Sequence, residues 1–201
     1  VAAVFVTFEG LDGSGKSTQA KLLAEALAGE GRDVVATREP GGTELGERVR
    51  ELLLAEGEVS AWAEAALFAA ARAQLVEQVI APALERGADV ICDRYVDSSL
   101  AYQGIARGLG LDRVLELNLQ AVGGVLPDRT FLLLVDPVES ARRVGSDGDR
   151  IEREDDDFRA RVDAAYRQLA EVFPERIQTI DGTRPPREIA EEVLHELRQR
   201  S

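Results

Sequence analysis

The stretch Gly10-Leu11-Asp12-Gly13-Ser14-Gly15-Lys16-Ser17 fits the pattern GxxxxGK(S/T), and its flanks decide what fold can carry it. Directly before it runs Val4-Phe5-Val6-Thr7-Phe8, apolar, β-branched and aromatic; directly after it Ala20, Leu23, Ala24 and Leu27 recur at helical spacing. Strand, glycine loop and helix therefore follow one another. Glycines let backbone N–H groups turn toward an anion, a helix start adds its positive dipole end, and Lys16 reaches toward β- and γ-phosphates. Ser17 is left for Mg²⁺, and Thr18 continues the helix start. The four fixed positions coincide by chance in about 1% of chains of this length, before the flanks are counted. Of 24 basic residues only Lys16 and Lys21 are lysine. A compact ammonium suits a phosphate at Lys16, while Lys21 belongs on an exposed helix face.

The strand-like runs 4–8, 33–37, 89–92, 130–135 and 177–180 alternate with helix patterns at 16–30, 43–56, 61–86, 111–123, 137–144, 155–172 and 186–199. That alternation predicts an α/β fold with a five-stranded parallel sheet flanked by helices, in one domain over residues 1–201. Ligands of such sheets sit beyond the carboxyl ends of the strands. A net charge of −13 argues against a nucleic-acid partner or an anionic membrane surface, since like charge repels both. Anionic substrates then need local Arg clusters. No apolar run approaches the roughly 20 residues of a spanning helix and no signal-peptide pattern opens the chain, so a cytoplasmic protein is expected. The absence of Met predicts a processed or trimmed start. Cys92, alone and inside Val90-Ile91-Cys92, reads as packing.

Four further places carry chemistry. Arg38-Glu39-Pro40-Gly41-Gly42-Thr43 puts a guanidinium and a carboxylate at the tip of the second strand, unless it is only a Pro-Gly turn. Asp93-Arg94-Tyr95 ends the third strand with an acid suited to organising Mg²⁺ and an Arg suited to a substrate phosphate; the plain alternative is a strand-end ion pair. Phe68 and Arg72 share a helix face, where they stack on and hydrogen-bond a nucleobase or serve as core and snorkelling surface. A polar segment at about 145–157, with Arg142, Arg143, Arg150 and Arg153 in or beside it, reads as a lid or as a solvated loop. His195 is expected on the surface.

Taken in order, Phe8-Glu9-Gly10 to Thr18, Thr37-Arg38-Glu39-Pro40-Gly41-Gly42-Thr43, Leu67-Phe68 to Arg72, Asp93-Arg94-Tyr95 through Tyr102-Gln103-Gly104, and Asp149-Arg150-Ile151-Glu152 resemble the bacterial thymidylate kinase family over nearly the whole chain. The resemblance implies transfer of the γ-phosphoryl group of MgATP to dTMP by a homodimer, with a Glu39-Pro40 bond open to the cis form. It implies ATP on Gly10 to Thr18 with Arg143, and Mg²⁺ on Ser17 and Asp93. For dTMP it implies Asp12 at the 3′-hydroxyl, Arg38 and Arg94 at the phosphate with Ser98 nearby, Phe68 and Arg72 at the base face and edge, Tyr102 against the 2′ position and Gln103 at the base. Lys16, Asp93, Arg94 and Arg150 are the expected catalytic set. Some members carry an Arg inside the P-loop; here that position is Gly13, which points to a lid Arg, with Arg150 first and Arg143 or Arg153 in reserve. A different P-loop kinase, or a P-loop switch, is the competing reading; the chain lacks the Asn-Lys-x-Asp sequence of guanine-reading switches.

Overall fold

A computed structural model of the protein describes residues 3–55, 57–145, 149–151 and 153–199. Five strands, β1 (Phe5–Glu9), β2 (Val34–Arg38), β3 (Asp89–Asp93), β4 (Arg129–Leu134) and β5 (Ile177–Asp181), form one parallel sheet in the order β2-β3-β1-β4-β5. The helices are α1 (Lys16–Gly29), α2 (Glu44–Leu54), α3 (Ala61–Leu75), α4 (Ala81–Glu85), α5 (Val96–Ser99), α6 (Leu111–Val122), α7 (Pro137–Val144), α8 (Asp156–Val172) and α9 (Pro186–Gln199). Apart from the run over 61–86, the strand and helix bounds expected from the sequence agree with these to within two residues. Among the described residues no helix is long and apolar enough to cross a membrane.

Alternation along the strands sends side chains to two cores. Val6, Phe8, Ile91, Phe131 and Leu133 face Leu23 and Leu27 of α1 and Ile189, Val193 and Leu197 of α9. Phe5, Val90, Cys92 and Leu132 face the opposite layer, with Leu75, Leu100, Val114, Tyr166 and Leu169. Cys92 is free and fully buried, and burial pushes its thiol well up, in keeping with a packing role.

Local chemistry sets the helix starts. Thr43, Ser60, Asp136 and Asp155 each accept a backbone N–H of the first turn of α2, α3, α7 and α8. Two departures from the sequence expectation have physical causes. The run expected over 61–86 is interrupted by a π-helical segment at Val76–Ile80. Pro82 follows it, has no N–H to donate, and crowds the carbonyl four residues back, so the ladder widens ahead of it. The second departure is α5 with the π-helical segment Leu100–Ala106, which periodicity does not reveal. Every residue from Val96 to Ala106 except Ile105 is buried, so no polar stripe marks the helix.

The order reverses at β1: the chain leaves it for β2 on one side and later adds β4 on the other. The glycine loop sits at that switch point, and the tips of β2 and β3 carry Arg38, Asp93 and Arg94 beside it.

Candidate active site

The glycine loop closes onto α1 through Gly15, whose left-handed backbone (φ 101°) forms the helix N-cap. Gly13 is also left-handed, at φ 77°, and a Cβ there would stand 2.8 Å from Ser140 O and 3.0 Å from Arg143 Cβ. Helix α7 therefore packs against the loop at this glycine, tied by Ser140 Oγ donating to Asp12 O at 2.6 Å. Lys16 is buried and donates to Leu11 O at 2.7 Å. Burial and then the Arg94 guanidinium lower the affinity of its amine for the proton.

Ser17 Oγ donates to Asp93 Oδ2, while Asp93 Oδ1 is buried without a hydrogen-bond partner. An orphaned carboxylate oxygen beside a hydroxyl at the mouth of the phosphate loop fits a divalent cation that takes its remaining ligands from phosphates and water.

Two clefts open at this edge of the sheet. The first is lined by Asp12, Gly13, Gly15, Lys16, Ser17, Thr18, Arg38, Asp93 and Arg143, among others. The second is lined by Pro40, Leu54, Phe68, Ser98, Ser99, Tyr102, Gln103, Asp149 and Ile151, among others. Asp12, Glu39, Arg50 and Arg94 line both.

Arg94 is the centre of the shared wall. It is a non-glycine residue at φ 71°, a left-handed conformation costing on the order of 1–3 kcal/mol. The turn is pinned by Glu9, fully buried at the end of β1. Glu9 Oε1 accepts the N–H of Tyr95 at 2.8 Å and of Ser98 at 3.2 Å, and Oε2 accepts Ser98 Oγ at 2.6 Å and Tyr166 Oη at 2.9 Å. Burial, and then the neighbouring Asp97, push the Glu9 carboxyl up to about 7. The Arg94 guanidinium pairs with Asp12 Oδ1 and donates to Ser98 Oγ at 3.1 Å and Tyr166 Oη at 3.2 Å. Burial raises the Asp12 carboxyl, but Arg94 and Lys16 outweigh it, and Asp12 ends far below the usual carboxylate range. Tyr102 Oη donates to Asp12 Oδ2 at 3.3 Å, so Arg94 and Tyr102 meet at one carboxylate.

Other expected residues fall elsewhere. Exposed Arg38 lies at the tip of β2 on the loop side, paired with half-buried Glu47 at 3.0 Å and absent from the second cleft's lining. Arg72, expected at a base edge, is 1% exposed and stands behind the wall. Its donors go to Glu39 Oε2 at 2.5 and 2.8 Å, Tyr95 O at 3.0 Å, Ser99 Oγ at 2.9 Å and Asn118 Oδ1, so all five N–H groups are committed. Breaking a buried pair of this kind costs about 3–5 kcal/mol, against about 1 kcal/mol for a typical new hydrogen bond, so Arg72 braces Glu39 rather than turning outward.

Arg150, the first choice for the transferring phosphoryl, donates to Leu53 O at 2.9 Å and Glu64 Oε2 at 2.6 Å, on the second-cleft side. Arg143 instead leans on the loop, with Nη1 reaching Gly13 O at 3.4 Å and Gly182 O at 3.3 Å. Arg153 is exposed. Of the expected lid over 145–157, residues 146–148 and 152 lie outside the described residues, and Asp156 and Asp157 already belong to α8. His195 is exposed, as expected.

Arg50, Glu64 and Glu9 escaped sequence reading. Arg50 sits within an ordinary amphipathic helix and donates only to Pro40 O, at 3.2 Å, among the described residues. Glu9 follows the strand run without a gap, and only its place at a strand end beside the glycine loop was available as a signal.

Comparison with known proteins places the chain among its relatives. The sequence profile described as thymidylate kinase matches residues 8–193. The chain is 50% identical over 196 residues to thymidylate kinase of Pelotomaculum thermopropionicum, covering 95% of this chain and 88% of that protein. It is 52% identical over 194 residues to thymidylate kinase of Leifsonia xyli subsp. xyli, covering 94% and 92%. The crystal structure of thymidylate kinase from Ehrlichia chaffeensis superposes with a TM-score of 0.82 at 36% identity, covering 98% of this chain and 99% of that one. Agreement in sequence along almost the full length, and in fold with a solved member, places this chain in the thymidylate kinase family.

Proposed function

We propose that the family's activity, phosphorylation of dTMP to dTDP at the expense of ATP, is carried out here where the two clefts meet, with residues 1–201 acting as a single nucleoside monophosphate kinase domain. The observation that carries this reading is the shared wall of Asp12, Glu39, Arg50 and Arg94. A donor phosphate on the loop and an acceptor phosphate in the second cleft are then neighbours across two guanidinium groups.

The donor end works through backbone N–H groups, the α1 N-terminus and Lys16. Ser17 and Asp93 would hold Mg²⁺, whose charge offsets that of the phosphates. At the acceptor end Arg94 orients the phosphate, with Arg50 opposite. Phe68 lies against the pyrimidine, Gln103 reads it, Tyr102 and Asp12 bound the sugar, and Ser98 and Arg72 hold the wall in place. A nucleoside monophosphate is already largely dianionic at neutral pH, so no general base is required. Catalysis is positioning and charge stabilisation of two anions brought together. Arg143 fits the donor side better than Arg150, since it lines the first cleft.

We read the active form as a homodimer. Exposed Leu45 and Leu52 on α2, Trp62 on α3 and Leu119 on α6 support this, because α3 packs against both α2 and α6. The reading is tested by turnover of dTMP, dUMP, dCMP, dGMP and AMP with MgATP. Fastest conversion of dTMP is expected; faster conversion of another acceptor, or hydrolysis of ATP without transfer, overturns it.

A further inference from the structure

Glu64 lies on α3 one turn before Phe68, is 1% exposed, and does not line the acceptor cleft. Its carboxylate nevertheless gathers three side chains. Oε1 accepts Gln103 Nε2 at 2.8 Å and Arg107 Nε at 3.2 Å. Oε2 accepts Arg107 Nη2 at 3.3 Å and Arg150 Nη2 at 2.6 Å. Arg107 is shared with Glu154 at 2.6 Å. Burial raises the Glu64 carboxyl, but the hydrogen bonds from Arg150, Gln103 and Arg107 outweigh it and hold the group below its ordinary value, ionised at neutral pH.

An ionised carboxylate accepts hydrogen bonds and donates none. The NH₂ of the Gln103 amide must therefore face Glu64, which removes the usual ambiguity between the two ends of an amide. Gln103 lines the acceptor cleft with Phe68, and its Oε1 accepts no hydrogen bond among the described residues. The end of the amide left for a ligand is thus an acceptor.

We propose that Glu64 is a specificity-determining positioning residue: by fixing the amide of Gln103 it presents an acceptor to ring atom N3 of the base. Thymine and uracil carry a hydrogen on N3 and donate to it. Cytosine has a bare N3 and meets lone pair with lone pair. Because Arg150 docks on the same carboxylate and its neighbours Asp149 and Ile151 line the cleft, the segment after α7 and the base-reading amide share one anchor. The inference rests on the acceptor cleft holding a pyrimidine monophosphate.

The test is the ratio of kcat/KM for dTMP over dCMP, with saturating MgATP, in the full chain and in Glu64→Gln. A glutamine at this position both donates and accepts, so it no longer dictates the orientation of Gln103. The ratio is expected to fall about tenfold, the scale of one well-formed hydrogen bond. A folded Glu64→Gln protein, by thermal melting, whose ratio stays within about twofold of wild type overturns the inference, since a merely structural carboxylate lowers both substrates together. Wild-type protein with dTMP methylated on N3 provides a second arm that needs no variant. Loss of turnover is expected, and turnover equal to dTMP contradicts the acceptor at N3. Failure of the wild type to prefer dTMP over dCMP overturns the functional reading itself, and is separable from a wild type that prefers dTMP while Glu64→Gln keeps the preference.

Discussion

The donor cleft is built from consecutive backbone and the acceptor cleft from pre-paired side chains, and the two therefore respond differently to change. Around Lys16 the proposed donor phosphates would meet N–H groups of a glycine loop, a helix end and one ammonium, all within residues 10–18. Around Phe68 the wall comes from α2, α3, the tips of β2 and β3, the π-helical segment after α5 and the chain beyond α7. Four cations in or behind that wall are held by carboxylates, Arg94 by Asp12, Arg72 by Glu39, Arg150 and Arg107 by Glu64, whereas Arg50 donates to Pro40 O. A guanidinium at low exposure without its own anion is costly, so in this site positive charge is stored in pairs. On the proposed reading, an incoming acceptor phosphate would compete with Asp12 for Arg94 rather than find a bare charge.

The largest expected effect lies on the donor side. Lys16→Ala should lower kcat by about a thousandfold, as the loss of a charge that acts on the transferring group does. The fold should survive, because the Lys16 ammonium makes one hydrogen bond, to Leu11 O, and a long ion pair to Asp12 at 3.7 Å. Near-normal turnover in a folded variant would erase the distinction between the two clefts. Of intermediate size is Arg143→Ala, which should raise KM for ATP about tenfold through loss of a group on the loop side. The smallest effect is expected of Arg150→Ala. It should raise KM for dTMP a few-fold and leave KM for ATP unchanged, because its partners are Leu53 and Glu64. Steady-state kinetics with each substrate varied separates these cases. The opposite pattern, with Arg150→Ala acting on ATP and kcat, would return Arg150 to the transferring phosphoryl.

The same contrast explains what could be read from the residues alone. The strands, the helices between them and the phosphate cradle follow from contiguous patterns, as Val4 to Ser17 show locally, whereas the strand order comes only from the structure. Phe68, Tyr102 and Gln103 do reach one cleft, but only the resemblance in motif order brought them together, since no spacing links positions so far apart. Arg72 shares a helix face with Phe68, as their spacing predicts, and its N–H groups go to Glu39, Tyr95, Ser99 and Asn118. Periodicity shows which way a side chain points, and says nothing of Glu39, which meets it from the tip of another element. Arg150 shows the same limit, because its partner Glu64 lies 86 residues away. Glu9 was hidden for a different reason: a buried acid at a strand end has no periodic signature, and its meaning comes from the Tyr95 and Ser98 N–H groups it caps.

On the proposed reading one wall, formed by Asp12, Glu39, Arg50 and Arg94, stands between donor and acceptor phosphates. A crystal structure with dTMP and a non-hydrolysable MgATP analogue tests it most directly. The analogue's phosphates are expected on residues 10–18, the dTMP phosphate at Arg94, and the pyrimidine between Phe68 and Gln103. A dTMP phosphate seated away from Arg94, or a pyrimidine outside the cleft of Phe68 and Gln103, would contradict it.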